Sequence, residues 1–211
     1  ESPSPYGSVV PGAFNLRDFS GIRCGDEVIA PGGLFRCDLL HRVDVAVAEA
    51  WLDQQGVTTL VDLRTFVERE TDGFMPSSER RVSLHHPLLD EVWSWEDERS
   101  AEHPWFLRDR TIEMYERHPD RIVAVLEEIA ATDGAALFHC TAGKDRTGVI
   151  ASALLGVIGV DRDDVVCDSR REDRVHDEVD RDDVDDGVGD AREARQPTLG
   201  VGGEQRVGDL E

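Results

Sequence analysis

Apolar residues cluster along this chain in short runs that predict the strands of a sheet. The runs Val57–Leu63 and Ala135–His139 follow glycines and contain β-branched or aromatic residues, which is typical of strands buried on both faces of a parallel sheet. A weaker run, Val82–His86, predicts a third strand. Strands that alternate with helices predict a layered α/β domain. Four segments carry helical periodicity: Val45–Gln55, Trp105–Arg117, Arg121–Thr132 and Thr147–Ile158.

The composition of the chain changes sharply near residue 168. All 13 aromatic residues lie before that point, whereas the 43 residues from Ser169 to Glu211 hold 14 acidic and 7 Arg side chains. Such a segment buries too little apolar surface to offset the entropy of ordering it. We therefore expect three parts: an N-terminal extension (residues 1–9), one globular domain (10–168) and an acidic tail (169–211) that is disordered or results from a frameshift.

The charge of the chain narrows the classes of ligand. Acidic side chains number 45 against 23 basic ones, so the formal net charge at pH 7 is −22. So large a negative charge excludes a general basic surface that would bind nucleic acid or an anionic membrane. No apolar run approaches the roughly 20 residues of a membrane span. The four cysteines form no Cys-x-x-Cys pair, which favours a reducing, cytoplasmic setting.

The segment His139–Gly148 has the chemistry of an anion site. It reads His-Cys-Thr-Ala-Gly-Lys-Asp-Arg-Thr-Gly, with Cys140 at the end of a predicted strand and Arg146 just before a predicted helix. A strand, a tight loop and a helix N-terminus bind anions, because loop amides converge there and the helix dipole adds positive potential. Lys144 is the only lysine of the chain. The segment therefore predicts a phosphate site.

The residue types in this segment fit nucleophilic phosphoryl transfer. The thiolate is the nucleophilic form of cysteine, and the loop amides, the helix terminus and Arg146 would stabilise it at Cys140, with the Thr147 hydroxyl as a further donor. The planar guanidinium of Arg146 can hold two phosphoryl oxygens and stabilise the charge of the transition state. Asp145 would repel a bound dianion unless it is protonated or turned aside, so it is a candidate general acid.

These residues resemble the cysteine-dependent protein tyrosine phosphatases, whose signature is His-Cys-x5-Arg-[Ser/Thr]. More narrowly, they look like the atypical microbial branch with tyrosine/serine or lipid-phosphatase-like members. Three further segments support the resemblance, which covers roughly residues 10–168: Pro11–Asp18, Gly33–Asp38 and Asp62–Arg64. The resemblance implies a three-layer α/β/α fold with a short, mostly parallel central sheet. It also implies C-terminal helices, which the acidic tail replaces here.

The same resemblance implies the reaction and its residues. Cys140 would form a phosphocysteine intermediate that water hydrolyses, and no cofactor or metal would take part. The substrate would be a phosphotyrosine protein, with phosphoserine, phosphothreonine and phosphoinositides as further candidates. The usual Trp-Pro-Asp acid loop is missing, so Asp90 takes the general-acid role by resemblance and Asp145 is its rival. The implied phosphate contacts are Thr141, Ala142, Gly143, Lys144, Asp145, Arg146 and Thr147.

Other interpretations of these residues stay open at this point. A rhodanese-like sulfurtransferase or an arsenate reductase also places a cysteine in an anion loop, although Lys-Asp-Arg-Thr is not their sequence. A catalytically impaired module that binds phosphate or phosphoinositide would differ from the enzyme in turnover. His85 and His86 could form a metal site with His103 and Asp90. They are weak candidates, because a His-His pair without a suitably spaced carboxylate or Cys partner is poor evidence for a metal. Arg17, Arg36 and Arg64 either touch substrate or form structural ion pairs.

Overall fold

A mostly parallel sheet forms the centre of the fold. The computed structural model describes residues 10, 12–92 and 105–169, so the N-terminal extension and the tail from residue 170 onward lie outside the described part. The sheet has five strands: β1 (Arg17–Asp18), β4 (Leu34–Cys37), β5 (Val57–Asp62), β6 (Val82–His85) and β7 (Ala135–His139). Their spatial order is β1-β4-β7-β5-β6, and β1 alone runs antiparallel to its neighbour. A small separate hairpin pairs β2 (Arg23–Cys24) with β3 (Glu27–Val28).

Helices cover both faces of the sheet. They are α1 (Val45–Gln54), α2 (Phe66–Asp72), α3 (Phe106–Arg117), α4 (Pro119–Ala130), α5 (Asp145–Val157) and α6 (residues 162–169), with a 3-10 helix at Leu40–Arg42. One core cluster packs α1 against one face of the sheet. A second cluster packs α3, α4 and α5 against the other face. The predicted three-layer α/β/α fold with a mostly parallel sheet is therefore confirmed.

Two-sided burial explains why the predicted strands read as continuous apolar runs. All five residues of β7 are buried. Neighbouring residues of β5 point to opposite faces, so that Leu60 belongs to one core cluster and Val61 to the other. Burying a side chain of this size contributes about 1.5–3 kcal/mol. The three predicted strands and the four predicted helices are all present, and their ends differ from the prediction by at most a few residues.

The structure also contains elements that the hydrophobic pattern does not predict. β4 is an interior strand of the sheet although it contains Arg36, whose side chain is completely buried. The helix predicted from Thr147 begins two residues earlier and includes Asp145 and Arg146. α6 reaches Ser169, the first residue of the predicted tail. The division of the chain at residue 168 stays a prediction.

None of the helices in the described parts of the chain has both the length and the apolar character that crossing a membrane requires.

Candidate active site

The signature loop, residues 140–144, connects the end of β7 to the start of α5. At Gly143 the backbone adopts a φ of +66°, a conformation that favours glycine. A Cβ atom there would lie 2.5 Å from the carbonyl carbon and oxygen of Cys37, at the end of the neighbouring strand β4. The loop therefore packs backbone against backbone on β4, and only glycine fits at this position.

Two side chains hold the loop carbonyls from one side. The Asn15 amide Nδ2 donates a hydrogen bond of 2.8 Å to the carbonyl oxygen of Ala142, and Arg36 Nη2 donates one of 2.9 Å to that of Gly143. In a trans peptide the N–H points opposite to the C=O. The amides that follow these two carbonyls, those of Gly143 and Lys144, are therefore directed to the opposite side of the loop, where an anion would bind.

The predicted nucleophile and its neighbours lie around this loop. Cys140 is 2% exposed and begins the loop directly after β7. Arg146 and Thr147 lie in the first turn of α5, both buried. The Thr147 hydroxyl has no hydrogen-bond partner among the described residues. The structure therefore brings the cysteine, the loop amides and the arginine of the signature together at one end of the sheet.

Glu68, which was not predicted from the sequence as a site residue, completes this group. The Arg146 guanidinium binds the Glu68 carboxylate through two hydrogen bonds, from Nη1 at 2.6 Å and from Nη2 at 2.8 Å. The Thr141 hydroxyl donates to the same carboxylate. Thr65 anchors Glu68 further, since its backbone N–H and its hydroxyl both donate to Oε2 at 2.9 Å. The carboxylate therefore links α2 to both ends of the signature segment.

The charges of Glu68 and Arg146 stabilise each other. Burial alone would raise the pKa of the Glu68 carboxyl, but the hydrogen bonds from Arg146 and Thr141 lower the pKa to about 2. Burial alone would lower the pKa of Arg146, whereas the hydrogen bond to Glu68 and the nearby charges raise it. Both groups are therefore ionised throughout the physiological pH range, and the guanidinium is held in one orientation.

A sequence signal for Glu68 does exist, but it points to structure. Thr65 and Glu68 match the Thr-x-x-Glu pattern of a capping box, which the structure contains at the start of α2. The pattern predicts a helix N-terminus at Thr65. It carries no information about Arg146, which lies 78 residues further along the chain.

We expect the Glu68→Gln variant to lose about 10²-fold in kcat/KM on a phosphate monoester. The amide cannot replace the bidentate ion pair, so the Arg146 guanidinium becomes free to turn away from the phosphoryl oxygens, and such misplacement of a binding group costs about this much. Steady-state kinetics on an aryl phosphate measures the effect. The matched control is Glu70→Gln on the same helix, where the side chain is exposed. A higher kcat/KM in Glu68→Gln would instead mean that Glu68 competes with phosphate for Arg146.

The two candidate general acids occupy different surroundings. Asp145 lies in the first turn of α5, directly beside Arg146. Asp90 follows β6, has a side chain that is 74% exposed, and accepts a hydrogen bond of 2.7 Å from Arg121 on α4. No hydrogen bond or ion pair within the described parts of the chain joins Asp90 to the signature loop. Asp145 thus lies next to Arg146 at the start of α5, whereas Asp90 is paired with a neighbouring helix.

His139 and the arginines of the flanking segments make structural contacts. His139 is buried with its Nδ1 3.2 Å from the Cys140 carbonyl oxygen, and burial lowers the pKa of this imidazole. Arg64 is completely buried and binds Asp62 through two hydrogen bonds, at 2.9 and 2.7 Å. Arg17 and Arg36 both bind Asp168. These arginines could either contact substrate or form structural ion pairs, and the geometry supports the ion pairs.

Neither histidine of the weak metal candidate faces a shared metal position. His85 Nε2 lies 2.8 Å from the Arg64 carbonyl oxygen, and His86 Nε2 lies 3.7 Å from a Glu128 carboxylate oxygen. Among residues 10, 12–92 and 105–169, no group of three or more His, Cys, Asp or Glu side chains is arranged to hold a metal ion. His103, the other histidine considered for such a site, lies outside the described residues.

Asp38, next to the signature loop, carries an unusual carboxyl group. The residue is 8% exposed, and its Oδ1 accepts a hydrogen bond of 2.8 Å from the backbone N–H of Phe14. Burial raises the pKa of Asp38 from 3.8 to about 6, although the hydrogen bond from Phe14 opposes the shift. The native state therefore binds this proton more tightly than the unfolded chain does, so ionisation of Asp38 weakens the fold.

We expect the Asp38→Asn variant to be more stable than the wild type at neutral pH. Because the native pKa is the higher one, the stability contributed by this group is complete below about pH 4 and is lost as the pH rises through 6. The amide keeps an oxygen for Phe14 and carries no charge. Its free energy of unfolding should exceed that of the wild type by on the order of 2–3 kcal/mol at pH 8 and approach it near pH 4.

Urea unfolding at the two pH values measures the effect of Asp38→Asn. The exposed Asp133→Asn serves as the control, and its stability should follow that of the wild type at both values. An Asp38→Asn variant that is less stable than the wild type at pH 8 would show that the ionised carboxylate stabilises the fold.

The chain is similar to known proteins over most of its length. Residues 8–185 match the model of the tyrosine phosphatase family. Similar proteins include the triple specificity protein phosphatase PtpB of Mycobacterium tuberculosis, 29% identical over 193 residues that cover 77% of this chain and 67% of that protein. A tyrosine-protein phosphatase of Nostoc commune is 42% identical over 90 residues, which cover 40% of this chain and 30% of that protein.

Among solved structures, TpbA of P. aeruginosa in complex with pTyr aligns over 81% of this chain and 80% of its own, with 19% identity and a TM-score of 0.44. This chain spans about two thirds of the length of the first relative and 30% of the second. The family model covers most of the chain, so the family expected from the signature segment is confirmed. The chain belongs to the tyrosine phosphatase family.

Proposed function

We propose that this protein is a cysteine-dependent phosphatase that hydrolyses phosphotyrosine. The observation that carries the proposal is the convergence of the buried Cys140, the outward amides of the signature loop and the guanidinium of Arg146 at one end of the sheet. The rhodanese-like and arsenate-reductase-like alternatives are not favoured, because the chain belongs to the tyrosine phosphatase family. A measurement of turnover, described below, distinguishes the enzyme from a catalytically impaired module that only binds phosphate.

In the first chemical step the Cys140 thiolate attacks the phosphorus atom of the bound monoester. The S–P bond forms while the bond from phosphorus to the leaving oxygen breaks, and the general acid protonates that oxygen. The Gly143 and Lys144 amides, Arg146 and the positive end of the α5 dipole stabilise the charge on the equatorial phosphoryl oxygens. The Thr147 hydroxyl, which is buried and has no hydrogen-bond partner among the described residues, is the proposed donor to the thiolate.

In the second step water attacks the phosphocysteine. Its oxygen bonds to phosphorus, the S–P bond breaks, and the thiolate of Cys140 leaves, while the residue that acted as acid takes a proton from the water. Inorganic phosphate is the product. This sequence needs no metal and no cofactor, and the residues proposed to bind phosphate are Thr141 to Thr147.

Phosphotyrosine is the substrate proposed first, with phosphoserine, phosphothreonine and phosphoinositides as further candidates. The family supports phosphotyrosine directly, and one relative is described as a triple specificity phosphatase. All four cysteines are free thiols. We therefore also propose a reducing, cytoplasmic environment, where the nucleophile stays reduced.

Hydrolysis of three substrates tests the proposed function. Phosphate release by the wild type is measured with a phosphotyrosine peptide, a matched phosphoserine peptide and a soluble phosphatidylinositol phosphate, each with and without vanadate. We expect vanadate-sensitive turnover of the phosphotyrosine peptide. A folded protein that binds vanadate and turns over none of the three would support the impaired binding module and overturn the proposed enzyme.

A further inference from the structure

Asp168 lies at the C-terminal end of the described structure and is nevertheless 2% exposed. Its carboxylate faces two arginines from the other end of the chain. Arg17 Nε donates to Oδ1 at 3.3 Å, and Arg36 Nη1 donates to Oδ2 at 3.1 Å. Arg17 also donates to the Asp168 backbone carbonyl at 3.2 Å. α6 is therefore joined to β1 and β4 by a buried group of charges.

This buried group touches the signature loop. Through Nη1 the Arg36 guanidinium binds Asp168, and through Nη2 it binds the Gly143 carbonyl oxygen at 2.9 Å. Arg17 is linked to the same region, since its Nη1 lies 3.4 Å from the carbonyl oxygen of Asn15, the residue whose amide holds Ala142. One planar guanidinium thus connects the carboxylate of α6 to the backbone of the phosphate-binding loop.

The orientation of Arg36 depends on its anionic partner. The side chain is completely buried, and a buried guanidinium is stable only when its charge is compensated and its N–H groups are bonded. A charge-assisted hydrogen bond to a carboxylate fixes the plane of the guanidinium. Nη2 then points at the Gly143 carbonyl oxygen. The next amide, that of Lys144, points away from Arg36, toward the side of the loop where the anion would bind.

We propose that Asp168 is a positioning residue for the phosphate-binding loop and acts through Arg36 on the Gly143 carbonyl. The inference rests on the proposed function, because the loop is the one assigned there to phosphate. It adds a residue outside the signature to the machinery of the site. Asp168 does not touch the substrate, and its effect is on the direction of the loop amides and on the environment of the Cys140 thiolate.

The proposal predicts a specific set of changes in Asp168→Asn. This variant keeps the size of the side chain and removes its charge. We expect about a 10²-fold lower kcat/KM on a phosphotyrosine peptide and a similar loss of vanadate affinity, since a displacement of about 1 Å in a binding group has effects of this size. Alkylation of Cys140 by iodoacetate, an anion that the loop also binds, should be slower in Asp168→Asn than in the wild type. The exposed Asp163→Asn on the same helix is the control.

A double-mutant cycle shows whether Asp168 acts through Arg36. If it does, the Arg36→Met variant already loses the loop contact, and adding Asp168→Asn lowers vanadate affinity by less than about threefold more. If the losses of vanadate affinity in the two single variants multiply in the double variant, Asp168 does not act through Arg36 and the proposal is overturned. All variants are compared well below the melting temperature of the least stable one, so that a loss of global stability does not imitate a change at the loop.

The outcomes also separate this inference from the proposed function. Normal kcat/KM, vanadate affinity and alkylation in Asp168→Asn, with an active wild type, would overturn the positioning role alone. A wild type that binds vanadate without turnover would overturn the proposed enzyme alone, and vanadate affinity and alkylation would still measure the effect of Asp168. An Asp168→Asn variant that loses thermal stability but keeps the wild-type vanadate affinity would show a purely structural role.

Discussion

The Cys140→Ser variant is expected to fold like the wild type and to lose at least about 10⁴-fold in kcat. The substitution replaces one sulfur atom with oxygen in a residue that is 2% exposed, so the packing changes little. The hydroxyl of serine is a far weaker nucleophile than a thiolate. Arg146 and the loop amides are unchanged, so the variant should still bind phosphotyrosine peptide. Kinetics and binding calorimetry measure the two properties.

Cys37→Ser is the matched control for Cys140→Ser. Cys37 is also buried, ends the neighbouring strand β4, and has a thiol whose pKa is raised by burial. The same chemical change there should leave kcat within a factor of a few, because Cys37 is outside the proposed reaction. Residual activity of Cys140→Ser above about 1% of the wild type would contradict the role of Cys140 as nucleophile.

The Asp145→Asn variant is expected to lose about 10²–10³-fold in kcat/KM on phenyl phosphate, a range typical of general-acid catalysis. On 4-nitrophenyl phosphate the loss should be at least tenfold smaller, because a good leaving group needs no protonation. The expectation for Asp145 follows from its position beside Arg146, whereas the Asp90 carboxylate binds Arg121.

Asp90→Asn is the comparison that decides between the two carboxyl groups. We expect its kcat/KM to stay within a few-fold of the wild type on both aryl phosphates. A loss in Asp90→Asn that grows as the leaving group becomes poorer would assign the acid to Asp90, as the family resemblance implies. In that case Arg121 would have to release the carboxylate when the substrate binds.

Much of the fold follows from patterns that are local in the sequence. β5 and β7 read as apolar runs because both of their faces are buried. α1 and α4 show helical periodicity because one side of each packs on the sheet. The ends of these elements differ by a few residues from the prediction, since caps and first turns depend on side-chain hydrogen bonds rather than on hydrophobicity.

β4 shows where a local pattern is insufficient. An interior strand of a sheet covered on both faces is expected to be apolar, and Arg36 breaks that pattern in β4. The arginine is tolerated because Asp168 and the Gly143 carbonyl compensate it, and those partners lie 132 and 107 residues away in the chain. No window of neighbouring residues contains that information.

The sequence by itself determined the family and the core of the proposed site. Cys140, the loop glycine and Arg146 lie within seven consecutive residues, and a loop between a strand and a helix brings such neighbours together without long-range contacts. Only the tertiary structure decided that Glu68 holds Arg146, from 78 residues away, and that Asp168 faces Arg17 and Arg36. The physical reason is that a buried charge must find its partner wherever the fold places one.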